Sequence, residues 1–460
     1  MNVAIKLDNQ AFGFQMRLHE AAEALGARWA GEDVMLEGVS TDTRSLQAGQ
    51  LFVALHGPHF DGHDYLVEAK AKGAAACMVE KPVANCPALI VGDTRIALGK
   101  LAKAWRRNFA MPLVAVTGSN GKTTVKEMLA SIFAQQGNVL ATRGNLNNDI
   151  GVPLTLLGLD SSHSSAVIEM GANHAGEIAY LTALTKPNVA VITNAASAHL
   201  EGFGTLEGVA SAKGEIFQGL KDDGTAIINA DDEFASLWRE LAQDKKVLSF
   251  GLQHPADIAA RWQAGDRGSQ IHVTTSEGKV KLHLALLGEH NVMNALAAIA
   301  AAQAAGFTLK TIKAGLEAMQ PVAGRLQLKV GIHGSRIIDD TYNANPASLA
   351  AAIEVLAGFK GKHILVLGDM GELGDEAKAL HAEAGRFARA HGVDALYTVG
   401  PMAAAATDAF GEGAQQCDSH EAASKALQQE LADDVTVLVK GSRLSQMERV
   451  VQILESGGTN

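Results

Sequence analysis

Short apolar runs and longer stretches of helical spacing alternate along most of this chain. From Ala88 to about Met319, the runs Leu113–Thr117, Ala166–Met170, Val189–Thr193 and Ala226–Asn229 predict buried strands. Between them, Val125, Met128, Leu129, Ile132 and Phe133 repeat at helical spacing, which predicts a helix with one apolar face. Val209, Ile216, Phe217 and Leu220 mark a second face within Leu206–Leu220, and an alanine-rich helix is expected over Asn294–Ala305. Alternation of this kind gives a parallel sheet covered by helices.

The flanking regions repeat the scheme on a smaller scale. Leu18, Ala21, Ala22 and Leu25 share one face of a predicted helix, and Val34–Val39 and Leu51–Leu55 predict short strands. After about Gln320, strands are expected at Ile337-Ile338, His363–Leu367, Ala395–Val399 and Val435–Val439, with helices between. The chain is therefore read as three α/β domains, residues 1–86, 87–319 and 320–460, the last of them doubly wound. Length agrees, since 460 residues suggest about three domains.

Chemistry collects where predicted strands end. The first strand of the middle region breaks at Gly118-Ser119-Asn120-Gly121-Lys122-Thr123-Thr124, and a helix follows. Strand, glycine turn and helix form a phosphate loop: backbone N–H groups converge on phosphate oxygens, and the helix N-terminus adds positive charge. Lys122 can reach the terminal phosphates and Thr123 can ligate Mg²⁺. The full motif begins with a glycine where this chain has Val116, so the loop matches a shorter G-x-x-G-K-T-T form. A nucleoside triphosphate site is expected.

Other strand ends supply polar groups. Glu169 follows Ala166-Val167-Ile168, where a metal-facing carboxylate beside a phosphate loop belongs. Asn194 and His199 follow the strand Val189–Thr193, and Arg143–Asn148 is an amide-rich loop. By spacing alone Lys213 is an ordinary solvated helix lysine, and Gly288–Asn291 precede the alanine-rich helix. The third region has no phosphate loop, so it is expected to close over the nucleotide held by the middle one, with the acceptor in the cleft. The loop Gly57–Tyr65 holds His59, Asp61, His63 and Asp64 within a Gly/Pro turn, which suits a ligand-contacting or solvated loop better than a metal site.

Composition narrows the classes. A formal net charge of −11 argues against a general nucleic-acid or anionic-membrane binder. Cys77, Cys86 and Cys417 are too scattered for a disulfide framework or a zinc site, so reduced thiols are expected. The N-terminus lacks a signal-peptide core, and no apolar stretch approaches the ~20 residues of a membrane span. A cytoplasmic protein is expected, without nucleic-acid partners or membrane insertion, and as a monomer.

The motifs TGSNGKTT, GNLNNDIGVPLTLL, EMGANHAGEI, AHLEGFG, SAKGEIF, GEHNVMNALAA, GRLQ, DDTYNANPAS, GDMGELG and KGSR occur in that order. Together they resemble the Mur ligases, over all three domains. The segment STDTRSLQAGQLFVALHG followed by FDGHDY is similar to the uridine-nucleotide domain of that family. A tripeptide-forming member carries D-N-P-R in its third domain; this chain has GDMGELG instead, which favours the dipeptide-adding type.

The resemblance implies a uridine-nucleotide domain, a central phosphate-loop ATPase domain and a Rossmann-like ligase domain. It implies an ATP-dependent amide ligase joining D-alanyl-D-alanine to a UDP-N-acetylmuramoyl-tripeptide through an acyl phosphate. On matching positions, Gly118–Thr124 would hold ATP, with Lys122 on the β/γ-phosphates. Thr123, Glu169, His199 and Lys213, the last as a carbamate, would complete two Mg²⁺ sites. Asn291, Asn294 and Tyr342 match adenine contacts, Asp340 a ribose contact, and Arg325 a γ-phosphate contact. Asn145, Asn147 and Asn148 match the muramoyl-peptide loop, and Ser40, Thr41, Asp42, Thr43 and Arg44 the uridine-diphosphate pocket. Lys440, Gly441, Ser442 and Arg443 are expected near the dipeptide. The nearest alternatives are a tripeptide synthetase or folylpolyglutamate synthetase of the same family, and then a phosphate-loop kinase.

Overall fold

Residues 13–83, 86–196, 200–265 and 267–456 are described by the computed structural model. The first sheet has five strands, in the order Arg28–Ala30, Ala88–Ile90, Ala76–Val79, Leu51–Val53, Val39–Ser40. Its second strand corrects the sequence reading, which placed Ala88 at the start of the middle region. Ala88–Ile90 pairs in parallel with Ala76–Val79 and antiparallel with Arg28–Ala30, so the first domain extends past residue 86. The return of the chain also brings together two of the scattered thiols: Cys77 Sγ and Cys86 Sγ lie 3.4 Å apart.

The middle sheet has nine strands. Spatial order runs Asn138–Ala141, His163–Glu169, Leu113–Thr117, Val189–Ile192, Thr225–Asn229, Lys246–Gly251, Ile258–Gly265, Gly268–Thr275, Gly278–Leu284. Pairing is parallel as far as Ile258–Gly265 and antiparallel beyond it. The antiparallel end was not foreseen; there buried and exposed residues alternate, as in Gly268–Thr275, and the face away from the core is wet. Leu113–Thr117 lies between His163–Glu169 and Val189–Ile192, both later in the chain and on opposite sides of it, so its carboxyl end opens at the point where the strand order reverses.

Three of the described helices cover one face of this sheet, Lys122–Phe133, Glu289–Ala304 and Leu309–Ala318. The second is buried along Ala295–Ala302, and alanine lets its backbone approach the strands closely. It begins earlier than its alanine run suggests, because Gly288 starts it and Asn291 Nδ2 binds the Leu287 carbonyl in the first turn. On the opposite face, one apolar cluster runs from the first domain through helix Thr94–Arg106 into the middle domain. Phe14 and Trp105 meet edge to face there, and Trp105 Nε1 donates to the Leu159 carbonyl.

The third domain is a six-stranded sheet in the order Gln327–Val330, Arg336–Asp340, Val435–Lys440, Lys362–Gly368, Ala395–Val399, Ala414–Cys417. Only its first pair is antiparallel. Among the described residues, no helix is long and apolar enough to cross a membrane.

Candidate active site

The carboxyl ends of the middle and third sheets face a common cleft of about 2010 Å³. On its floor the phosphate loop is tied to the neighbouring strand end. Ser119 N–H donates to the Asn194 carbonyl, Asn120 N–H to Asn194 Oδ1, and Thr193 Oγ1 to the Asn120 carbonyl at 2.6 Å. Gly118 and Gly121 take φ values of 145° and 81°, which a side chain would strain. A Cβ on Gly118 would also strike Thr193 Oγ1, and one on Gly121 would strike Asn294 Oδ1. The loop is thus fixed by its neighbours before any ligand arrives.

Lys122 folds back over this loop, its Nζ donating to the carbonyls of Gly118 at 2.6 Å and Ser119 at 3.0 Å. Burial pushes its ammonium below the usual lysine range; Glu169 opposes that fall and Arg325 adds to it. Glu169 ends its strand as expected and is 2% exposed. Its Oε1 accepts from Asn147 Nδ2 at 2.9 Å, whereas its Oε2 is buried with no hydrogen-bond partner among the described residues. A buried carboxylate oxygen left open beside a phosphate loop fits a divalent cation.

Lys213 overturns the solvated reading that spacing gave it. It is 2% exposed, its Nζ lies 5.3 Å from the Phe203 ring centre, and it lines the cleft with Lys122 and Glu169. Burial, then repulsion from Lys122, lowers its pKa to about 7. A neutral amine is therefore accessible near neutral pH. His199 lies outside the described residues.

The third domain reaches into the loop. Arg325 Nη2 donates to Thr123 Oγ1 at 3.1 Å, and its guanidinium lies 4.2 Å from the Tyr342 ring centre. Asn345 Nδ2 donates to Asn120 Oδ1 at 2.9 Å. Sequence reading did not single out Asn345 as a site residue. Its signal was that of a helix start, since Asn345 and Ser348 form a capping box and Pro346 takes the first turn. Asn291 and Asn294 stand on the helix beside the loop, and Asn294 Nδ2 donates to Asn291 Oδ1. Asp340 is held by the Lys440 ammonium and by Leu326 N–H.

Other expected site residues lie at the cleft margin or apart from it. Asn147 and Asn148 line the cleft, and Asn148 Oδ1 also caps helix Gly151–Leu157 by accepting from Gly151 N–H. Asn145 is exposed and does not line it. Ser40, Thr41, Asp42, Thr43 and Arg44 are in the first domain, outside the cleft lining; Arg44 pairs with Asp42 at 2.7 Å. Lys440 is 2% exposed and spent on Asp340 and the Asn343 carbonyl, so its contact with the cleft is structural. Ser442 and Arg443 line the cleft, while Gly441 packs against Met447. In the loop Gly57–Tyr65, His63 is bonded to Asp61 and to Glu80 N–H, a structural use of both ring nitrogens.

Comparison with known proteins agrees with this layout. Residues 36–106 match the Mur ligase family catalytic domain, 116–302 the Mur ligase middle domain, and 324–443 the glutamate ligase domain of Mur ligases. The UDP-N-acetylmuramoyl-tripeptide–D-alanyl-D-alanine ligase of Escherichia coli is 45% identical over 96% of this chain and 99% of its own. A crystal structure of MurF from Acinetobacter baumannii superposes with a TM-score of 0.91 at 37% identity, covering 96% of this chain and 98% of that one. MurF ligase from Thermotoga maritima in complex with ADP gives a TM-score of 0.83 at 30% identity, covering 91% and 97%.

Proposed function

The chain belongs to the Mur ligase family, and from that premise we infer the reaction its cleft carries out. It is an ATP-dependent ligase that forms a peptide bond between UDP-N-acetylmuramoyl-tripeptide and D-alanyl-D-alanine, a step of peptidoglycan precursor synthesis. The observation that carries the mechanism is the bond from Arg325 to Thr123, which joins the amine-side domain to the phosphate loop.

A carboxylate is a poor acyl donor, because its leaving group would be oxide. Transfer of the γ-phosphoryl of ATP to a carboxylate oxygen breaks the β,γ P–O bond and gives ADP and an acyl phosphate. The amine of the dipeptide then attacks the acyl carbon, the C–O bond to phosphate breaks, and inorganic phosphate leaves with the electron pair. Lys122 and Arg325 stand where negative charge accumulates in the first step, so their part is positioning and neutralisation. Mg²⁺ held by Thr123, Glu169, His199 and Lys213 would neutralise further phosphate charge. The open Oε2 of Glu169 supports that assignment. A carbamate on Lys213 accords with its burial and lowered pKa, since a neutral amine adds CO₂ and the product is an anionic ligand.

The reading places adenine against Asn291, Asn294 and Tyr342 and the ribose at Asp340, all of which line the cleft. It gives the muramoyl-peptide to Asn147 and Asn148, the uridine diphosphate to Ser40–Arg44, and the dipeptide to Ser442 and Arg443, with Lys440 holding their loop through Asp340. Closing of the third domain excludes water from the acyl phosphate. The same reading takes the enzyme to act in the cytoplasm as a monomer. The test is ADP release from ATP, Mg²⁺, the UDP-muramoyl-tripeptide and enzyme. The reading expects release to require D-alanyl-D-alanine and to yield the pentapeptide; release indifferent to the dipeptide would overturn it.

A further inference from the structure

The first domain holds two thiols in contact that the ligase reaction does not use. Cys77 lies in strand Ala76–Val79, and Cys86 stands two residues before the neighbouring strand Ala88–Ile90. The strands run parallel with Cys77 opposite Ala88, and Cys77 N–H donates to the Pro87 carbonyl at 2.9 Å. That bond fixes the backbone beside Cys86 against Cys77, and the side chains bring the two sulfurs to 3.4 Å. The other cysteine, Cys417, is buried in the edge strand Ala414–Cys417 of the third domain.

The two sulfurs are not equivalent. Cys77 is fully buried in a cluster with Phe52, Ala69 and Val79, whereas Cys86 is half-buried. The Cys77 S–H donating to Cys86 Sγ favours the thiolate there and lowers the Cys86 pKa against the effect of burial, and the Lys70 ammonium adds to the fall. The same bond, together with burial, raises Cys77. Negative charge therefore forms on the outer sulfur, which a dissolved oxidant can reach, and the inner thiol keeps its proton behind it.

We propose that Cys86 and Cys77 form a reversible oxidation site for hydrogen peroxide, with Cys86 as the attacking sulfur and Cys77 as the resolving one. The Cys86 thiolate attacks a peroxide oxygen, the O–O bond breaks, and hydroxide leaves with the electron pair and takes up a proton as water. The Cys77 sulfur then attacks the sulfenic sulfur, an S–S bond forms, the S–O bond breaks, and the leaving hydroxide takes the Cys77 proton. The two thiols lose two electrons between them, and one peroxide becomes two waters. A resolving thiol already in contact diverts Cys86 from the irreversible sulfinic step. Neither cysteine lines the cleft, so this chemistry lies beyond the ligase reading and does not depend on it.

The test is mass spectrometry of unreduced peptides from the full-length enzyme after graded hydrogen peroxide, beside Cys77→Ala and Cys86→Ser. In the unaltered enzyme a linked Cys77–Cys86 peptide should account for the loss of two of the three thiols, and dithiothreitol should restore both. In Cys77→Ala, Cys86 should pass to sulfinic acid at peroxide levels where the unaltered enzyme stops at the disulfide. Cys86→Ser should leave Cys77 a free thiol at those same levels. Absence of the linked peptide from the unaltered enzyme would overturn the proposal, and that readout needs no variant to fold. Sulfinic acid forming on Cys86 as readily with Cys77 present as without it would overturn it too.

Discussion

Arg325 of the third domain donates to Thr123 Oγ1 of the phosphate-loop helix at 3.1 Å while lying against the Tyr342 ring. One planar cation thus joins the glycine-rich loop of the middle domain to the third domain. A guanidinium can stack and fork at once, and an ammonium cannot. Arg325→Lys should therefore lower kcat by roughly 10²–10³-fold, the scale of losing one preorganised donor to a developing charge. Measured ADP release with near-normal kcat in that variant would contradict the role.

Gly118 has no room for a side chain, by both φ and the position of Thr193. Gly118→Ala should weaken ADP binding by roughly tenfold or more, from a strain of order 1–3 kcal/mol. Calorimetric titration with ADP decides it, and unchanged affinity would mean the loop is not the phosphate site.

Lys213, buried and with its pKa lowered to about 7, should take up CO₂. Enzyme equilibrated with ¹³C-bicarbonate should show a carbamate carbon signal that Lys213→Ala lacks. A signal that persists in the variant, or none in either protein, would remove the carbamate from the account.

Lys440 and Asp340 form a buried pair, so taking away one charge leaves the other stranded. Lys440→Met should cost about 3 kcal/mol in urea unfolding, and adding Asp340→Asn should recover much of it. Were Lys440 instead a direct dipeptide contact, stability would hardly change and only the dipeptide KM would suffer.

His290 sits in the first turn of helix Glu289–Ala304, near Asp340 and Lys440 of the third domain. Burial pushes its pKa down to about 4, Asp340 pulling it up and Lys440 adding to the fall. The unfolded chain binds that proton near pH 6.5, so between about 6.5 and 4 the unfolded state holds more protons. Stability should fall across that window by roughly 3 kcal/mol in total, and His290→Asn should flatten that part of the profile. An unaltered acid slope in the variant would contradict the assignment.

Much of this was legible in the chain because local patterns carry it. The phosphate loop, the strand ending in Glu169 and the helix behind Lys122 each follow from a run of neighbouring residues. What local pattern cannot express is who faces whom. Lys213 has the spacing of a surface lysine, and only the packing around Phe203 shows it to be buried. Lys440 looked like a ligand contact, yet a carboxylate a hundred residues away in the chain claims it. Asn345 carried only a capping signal, and its bond to Asn120 depends on how two domains meet. Ala88–Ile90 went to the wrong domain because an apolar triplet does not reveal which sheet it joins.

The central claim is that the cleft moves a phosphoryl group onto a carboxylate before the amine attacks it. A UDP-muramoyl-tripeptide labelled with ¹⁸O in its acceptor carboxylate tests this, with the released phosphate read by mass spectrometry. The account predicts one ¹⁸O in the inorganic phosphate for each peptide bond formed, together with ADP. Unlabelled phosphate accompanying the same amount of peptide product would contradict it.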